Sequence, residues 1–133
     1  QVGSYGNNLN NRTEESLGSS EDFWTAFREH VFTCNQSPWL GYLIVVGKDK
    51  ESTHAVKVSE PHFPVRAEFK NSTYLDRYRI LCQLLVLEHK YNAVALIATE
   101  NKDSYENLAE NLSIDTFINS FRGHLLGFAD EFR

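Results

Sequence analysis

The sequence predicts an α/β fold with three layers, in which parallel strands lie between helices. Two apolar runs rich in β-branched residues indicate strands that are buried on both faces, Trp39–Gly47 and Ala93–Thr99. The longest helical pattern, Tyr74–Lys90, lies between them. A helix that joins two buried strands is typical of a parallel βαβ unit, so these three elements predict the sheet.

The chain before the first strand is predicted to form a loop and two helices. Gln1–Asn8 contains Gly3 and Gly6 and indicates a loop. Asn10–Leu17 has a helical pattern that Gly18 is expected to end. A second helix is then predicted from Ser20 to Phe32, with apolar residues at helical spacing: Phe23, Trp24, Phe27 and Val31.

The remainder is predicted to contain loops and one more helix. Lys48–Thr53 and Glu100–Asn111 are polar and indicate loops, while Pro61 and Pro64 indicate a stiff extended segment. Ser113 is expected to cap a final helix. The apolar face of that helix consists of Ile114, Phe117, Ile118, Phe121, Leu125 and Phe128.

The predicted sheet is small for its kind. Open sheets commonly have about four to six strands, whereas two central strands are predicted here. The 133 residues begin with Gln1 and contain no Met. Further strands are therefore expected upstream, and residues 1–133 are expected to be a single domain that forms the C-terminal part of a larger one.

Composition excludes some functions and leaves others open. A net charge of -5 argues against nucleic-acid binding through bulk positive charge, although it permits a local basic strip. The longest apolar stretches, Leu43–Val46 and Leu84–Leu87, are too short to span a bilayer. Cys34 and Cys82 lie in apolar contexts, which favours buried free thiols in a reducing compartment over a disulfide.

A secreted protein is the alternative. Four N-x-[ST] matches begin at Asn11, Asn35, Asn71 and Asn111. They are compatible with a non-catalytic binding domain that is glycosylated at Asn11, Asn71 and Asn111.

Most catalytic patterns are absent from the sequence. The five histidines have no zinc-ligand spacing, and no G-x-S-x-G motif or phosphate-binding glycine loop occurs. Glu68-Phe69-Lys70, with Glu60 as a partner acid, has the residue types that hold Mg²⁺ and orient water. Because Pro64 and Asn71 bracket it in loop-like sequence, a solvated charged turn is the favoured interpretation.

The asparagines near the N-terminus form the second candidate site. Asn7, Asn8, Asn10 and Asn11 precede Arg12. Asparagine can pair with adenine edges and arginine with guanine edges, and both contact phosphates. The same composition also suits a turn and a helix cap, so the residues alone leave DNA binding and a structural role equally open.

The chain resembles the XhoI-type family of type II restriction endonucleases over about its first hundred residues. The resemblance rests on several unusual strings in order, and the final helix matches only loosely. The strings are Gln1-Val2-Gly3, Gly6-Asn7-Asn8, Asn10-Asn11-Arg12, Glu14-Glu15, Asp22, Trp24-Thr25-Ala26, Pro38-Trp39-Leu40-Gly41-Tyr42, Glu60-Pro61-His62-Phe63-Pro64-Val65, Glu68-Phe69, Tyr74, Arg77-Tyr78, Ile80-Leu81-Cys82, Leu85-Val86, Glu88, Tyr91 and Ala93.

The resemblance implies a partial three-layer core of the restriction-endonuclease type, with the PD-(D/E)XK motif. It implies a bacterial cytoplasmic enzyme that cuts both strands of a short DNA palindrome with Mg²⁺ and that is a homodimer in its full-length form. In such families the catalytic acid and E-x-K would lie upstream of Gln1, so the catalytic residues of this chain are unknown and no metal ligand is assigned to it. The DNA contacts would be Asn7, Asn8, Asn10, Asn11 and Arg12.

Overall fold

The computed structural model describes residues 4–33 and 36–131, so Cys34 and the first three residues lie outside the described part. The fold is mixed α/β. Its helices are α1 (Tyr5–Arg28), α2 (Lys50–Thr53), α3 (Tyr74–Leu87) and α4 (Ile114–Glu131). Its strands are β1 (Gly41–Gly47), β2 (Ala93–Thr99) and β3 (Glu106–Asn107), and short 3-10 helices span Ala67–Phe69 and Glu110–Leu112.

The sheet has the order β1-β2-β3. The strands β1 and β2 are parallel and in register from Gly41 opposite Ala93 to Gly47 opposite Thr99. This confirms the predicted βαβ unit, in which α3 connects the two strands. The short β3 pairs antiparallel with the end of β2. It lies within Glu100–Asn111, which was predicted to be a loop. The strand was not predicted because two polar residues do not form a recognisable strand pattern.

Helices cover both faces of this sheet. The even-numbered residues of β1 and β2 join α1 and α3 in the main core, where the most buried side chains include Tyr5, Tyr78, Leu85 and Leu96. On the other face α4 packs against β2. A Cβ at Gly41 would lie 2.2 Å from the ring of Trp39 and 2.8 Å from the ring of Phe117 in α4, so the packing of these two rings over β1 depends on the glycine.

The predicted break at Gly18 was wrong, because α1 is one helix from Tyr5 to Arg28. Gly18 costs a helix about 1 kcal/mol relative to alanine, but residues on both sides of it are anchored. The hydroxyl of Tyr91 donates to the carbonyl of Ser16 at 2.7 Å, and Ser20 Oγ donates to the carbonyl of Lys90 at 2.7 Å. These tertiary contacts outweigh the local signal.

Two helices end earlier than predicted, and for the same reason. His30 and His89 have φ values of 57 and 56 degrees, in the left-handed region. The amide that follows each histidine bonds back to a carbonyl inside the helix, Val31 to Ala26 at 3.0 Å and Lys90 to Leu85 at 2.9 Å. This is the Schellman ending, here with histidine where glycine is usual. Val31 therefore lies outside the apolar stripe predicted for it.

The one described cysteine agrees with the prediction. Cys82 is a free, buried thiol, and burial raises the pKa of this thiol to about 12. Such a group is inert at neutral pH. Within residues 4–33 and 36–131, none of the helices has the length and apolar character needed to cross a bilayer.

Candidate nucleic-acid interface

Three of the five predicted DNA-binding residues form one exposed face of α1. Asn7, Asn10 and Asn11 occupy its first two turns and are all exposed. Residues three and four apart lie on the same side of a helix. In the described part of the chain their side chains have no hydrogen-bond partner, so the three amides are available to an external ligand.

The other two, Asn8 and Arg12, are half-buried. Arg12 Nη2 lies 2.6 Å from Glu15 Oε1, and its side chain is 34% exposed. Its Nε is buried and has no hydrogen-bond partner among the described residues. The guanidinium borders a cavity of about 210 Å³ between Tyr78 and strand β1. The structure therefore divides the predicted cluster into an outward amide face and an inward cation.

Arg12 acts electrostatically on the core beside it. Burial raises the pKa of both Tyr42 and Tyr78 to about 12, and the positive charge of Arg12 opposes that rise in each case. A guanidinium paired to a carboxylate and packed beside two neutral phenols is well placed to orient α1 against the sheet. A contact of Arg12 with guanine or phosphate would compete with its contact to Glu15.

The start of α1 is fixed to the carboxyl end of β1. The hydroxyl of Tyr5 donates to Asp49 Oδ2 at 2.8 Å and approaches the carbonyl of Gly47 at 3.2 Å. Asp49 also caps α2 by accepting from the amide of Ser52 at 2.8 Å. The Ser52 amide and then the Tyr5 hydroxyl hold the pKa of Asp49 below its usual range. This arrangement sets the position of Asn7, only two residues further on.

A cavity of about 710 Å³ lies next to this junction, at the carboxyl ends of β1 and β2. Lys48 at its edge binds Glu106 at 2.7 Å and lies 3.8 Å from Glu100. Open α/β sheets commonly bind ligands at this edge. The sequence interpretation did not include the cavity, although the change from apolar strand to polar loop after Gly47 and Thr99 could have indicated it.

The E-x-K candidate forms a charged turn, as favoured from the sequence. Glu68 lies in the 3-10 helix Ala67–Phe69 and pairs with Arg66 at 2.6 Å. Glu60 accepts from the amide of Val65 at 2.9 Å and from Lys70 at 3.1 Å, and these contacts lower its pKa. Each carboxylate thus already has a partner. In the described ranges no three His, Cys, Asp or Glu side chains are grouped so that they could hold a metal ion.

Comparison with known proteins identifies the family. The model of the family "Restriction endonuclease XhoI" matches residues 1–110. The chain belongs to the XhoI restriction endonuclease family. No solved structure matches this XhoI-family chain.

The relatives of this XhoI-family chain are type II restriction enzymes. It is 46% identical over 126 residues to the enzyme BstVI of Geobacillus stearothermophilus, an alignment that covers 92% of the chain and 56% of BstVI. It is 46% identical over 85 residues to the enzyme XhoI of Xanthomonas vasicola, covering 64% of the chain and 34% of that enzyme. The chain therefore matches about half or less of the length of these relatives.

Proposed function

We propose that this chain is part of a type II site-specific deoxyribonuclease that cuts double-stranded DNA at a short palindrome with Mg²⁺. The observation that carries the proposal is the 46% identity to the type II restriction enzyme BstVI over 126 residues. The same kinship favours a homodimeric enzyme of the bacterial cytoplasm over the secreted, glycosylated binding domain that the N-x-[ST] matches left open.

The described carboxylates do not fit the Mg²⁺ that this activity requires. Hard divalent ions need several oxygen ligands converging on one point. Asp49 is engaged by a helix cap and a phenol, while Glu60 and Glu68 are paired to cations in an exposed turn. We therefore assign the catalytic acids and the E-x-K motif to a part of the enzyme outside these residues, and no metal-dependent step to this chain.

The role proposed for this chain is recognition. A helix fits the major groove of B-DNA, where an asparagine can pair with the N6 and N7 positions of adenine. The exposed amides of Asn7, Asn10 and Asn11 follow one side of α1, and the Tyr5–Asp49 contact fixes the helix on the sheet. Arg12 and Asn8 are assigned to the interface between α1 and the sheet, where they help to hold the exposed asparagine face in its orientation.

The activity is tested with a chimera in which these 133 residues replace the matched region of BstVI. With Mg²⁺ the chimera should convert supercoiled plasmid to linear DNA at discrete positions, whereas the chain alone should leave the plasmid supercoiled. A folded chimera that cuts nowhere would contradict the proposed nuclease. Site-specific cutting by the chain alone would contradict the assignment of the catalytic residues.

Recognition is tested by the ratio of cognate to scrambled duplex binding at fixed salt. Loss of one bidentate base contact costs about 1–3 kcal/mol, so Asn7→Ala, Asn10→Ala or Asn11→Ala should lower this ratio in the chimera. Asn119→Ala is the matched control, because Asn119 is also an exposed helical asparagine. If all three variants bind like the control, the asparagine face is not the recognition surface.

A further inference from the structure

The segment between α2 and α3 presents one large aromatic side chain to solvent. Phe63 is 82% exposed, the highest fraction among the large apolar residues in the described part of the chain. A single exposed apolar side chain is ordinary on a protein surface. Phe63 differs in the restraint of its backbone, in the charge around it and in its position relative to the asparagine face of α1, which consists of Asn7, Asn10 and Asn11.

The backbone around Phe63 is restrained. Pro61 and Pro64 lie on either side of it, and the proline ring fixes φ at both positions. The carboxylate of Glu60 accepts a hydrogen bond from the amide of Val65 at 2.9 Å, which closes the turn that contains the aromatic ring. A side chain on a restrained turn loses less conformational freedom when it binds a partner than one on a flexible loop does.

The charge around Phe63 favours an anionic partner. The segment His54–Lys70 has three Lys or Arg and two Glu, whereas the whole chain has 13 Lys and Arg against 18 Asp and Glu. Both glutamates are already paired with cations of the segment: Glu60 with Lys70 and Glu68 with Arg66. Lys57 is exposed and forms no ion pair with any described residue. A local excess of positive charge on an acidic protein can contact DNA phosphates.

The turn and the asparagine face lie at the same end of the molecule. The segment leads into α3, whose first residue, Tyr74, stacks on Tyr5 at the start of α1 with the ring centroids 5.6 Å apart. The amide of Val56 donates to the carbonyl of Ser72 at 2.8 Å, so both ends of the segment are joined just before α3. The turn is therefore anchored beside the first turn of α1, which carries Asn7.

We propose that Phe63 is a second DNA contact of the enzyme, an apolar wedge that inserts against the base pairs beside those bound by the asparagine face. Apolar side chains that enter DNA in this way partly unstack neighbouring base pairs. The restrained turn presents the ring, and Lys57 contacts a flanking phosphate. This inference rests on the proposed nuclease function and adds to it a residue outside α1.

Binding of the BstVI chimera to the duplex that it cuts, measured without Mg²⁺, tests this contact. Phe63→Ala should weaken binding about 5- to 100-fold. Phe63→Leu keeps an apolar wedge and should retain most of the affinity. Leu87→Ala is the matched control, because Leu87 is 73% exposed at the opposite end of α3, and this variant should bind like the unsubstituted chimera. Equal binding by the Phe63→Ala and Leu87→Ala variants would overturn the proposal.

Unstacking of the DNA separates a direct contact from an effect on the fold. A fluorescent adenine analogue, placed in turn at each position of the duplex, should brighten at the wedge position when the unsubstituted chimera or Phe63→Leu binds. With saturating Phe63→Ala it should stay dark, and the same brightening would refute the wedge. The melting temperature of the DNA-free chimera should be equal in Phe63→Ala and Leu87→Ala. A larger decrease in Phe63→Ala would mean that the ring packs on another part of the enzyme, which also overturns the proposal.

Plasmid cutting by the unsubstituted chimera keeps this inference separate from the nuclease function. Cutting at discrete positions, combined with equal binding by the two alanine variants, overturns the wedge and leaves the nuclease in place. If the chimera cuts nowhere or does not fold, the chain alone is titrated at low salt with a duplex of mixed sequence. Weaker binding by Phe63→Ala than by Leu87→Ala then supports the contact, and equal or absent binding refutes it.

Discussion

The two parallel strands have similar sequences and different surroundings. Both β1 and β2 have seven residues, mostly apolar. β2 lies between β1 and β3, and Val94, Ala95 and Leu96 are at most 1% exposed. In β1 the even-numbered Ile44 and Val46 are buried, but the odd-numbered Leu43 and Val45 are about half exposed.

The difference shows that the apolar pattern of a strand indicates the environment to which the strand is suited. A strand with one solvated face normally alternates apolar and polar residues, whereas a strand covered on both faces is continuously apolar. The sequence of β1 is of the second kind, yet its odd-numbered face is open. The contrast between the two strands thus supports a cover for β1 that lies outside the described residues.

The largest predicted effect comes from truncating the buried strand. Leu96→Ala in the chain alone should lower the free energy of unfolding by about 3 kcal/mol, because it leaves a cavity in the core. Leu43→Ala should cost less than about 1 kcal/mol, since that side chain is already half solvated. Urea denaturation of both variants measures the contrast. Equal costs would mean that β1 is as well covered as β2.

A smaller effect is expected where α1 covers the buried face of β1. Tyr5→Phe removes the hydroxyl that donates to Asp49, and it should cost about 1–2 kcal/mol. Tyr105→Phe is the control, because Tyr105 is 59% exposed. Thermal unfolding of the two variants compares them. A Tyr5→Phe variant as stable as its control would show that this contact does not hold α1 on the sheet.

The smallest effect concerns the cap of α3, which joins β1 to β2. The amide of Thr73 is the main cause that lowers the pKa of Asp76. A lowered pKa in the folded state stabilises the fold above the unfolded value of about 3.9, and this stabilisation is lost as the pH falls through the folded value. Asp76→Asn should therefore flatten the decline in the free energy of unfolding between about pH 5 and about pH 2. The unsubstituted chain is the reference; the same slope in that chain and in the variant would contradict the assignment.

The main fold elements were predictable because their signals are local and repeated. The bounds of β2 were predicted correctly, and β1 and α3 were displaced by only a few residues. The continuity of α1 was not predictable from local propensity, since it depends on Tyr91 and Lys90, which are distant in sequence. The early helix ends at His30 and His89 were missed because histidine gives little indication of a left-handed residue.

The candidate site was predictable as a cluster but not as a face. The composition indicated a cluster of four asparagines and an arginine. Their division into outward and inward groups depends on the orientation of α1 about its axis relative to β1. That orientation is set by tertiary contacts such as Tyr5 with Asp49. DNA binding by the outward asparagines stays a prediction.

The cost of Leu43→Ala, measured in the chain alone and in the BstVI chimera, tests most directly whether another part of the enzyme covers the exposed apolar side chains of β1. Urea denaturation gives the free energy of unfolding in both contexts. Burial of Leu43 should raise the cost from less than about 1 kcal/mol in the chain to about 2–4 kcal/mol in the chimera. The same small cost in both would contradict the account, because Leu43 would then remain exposed in the longer protein.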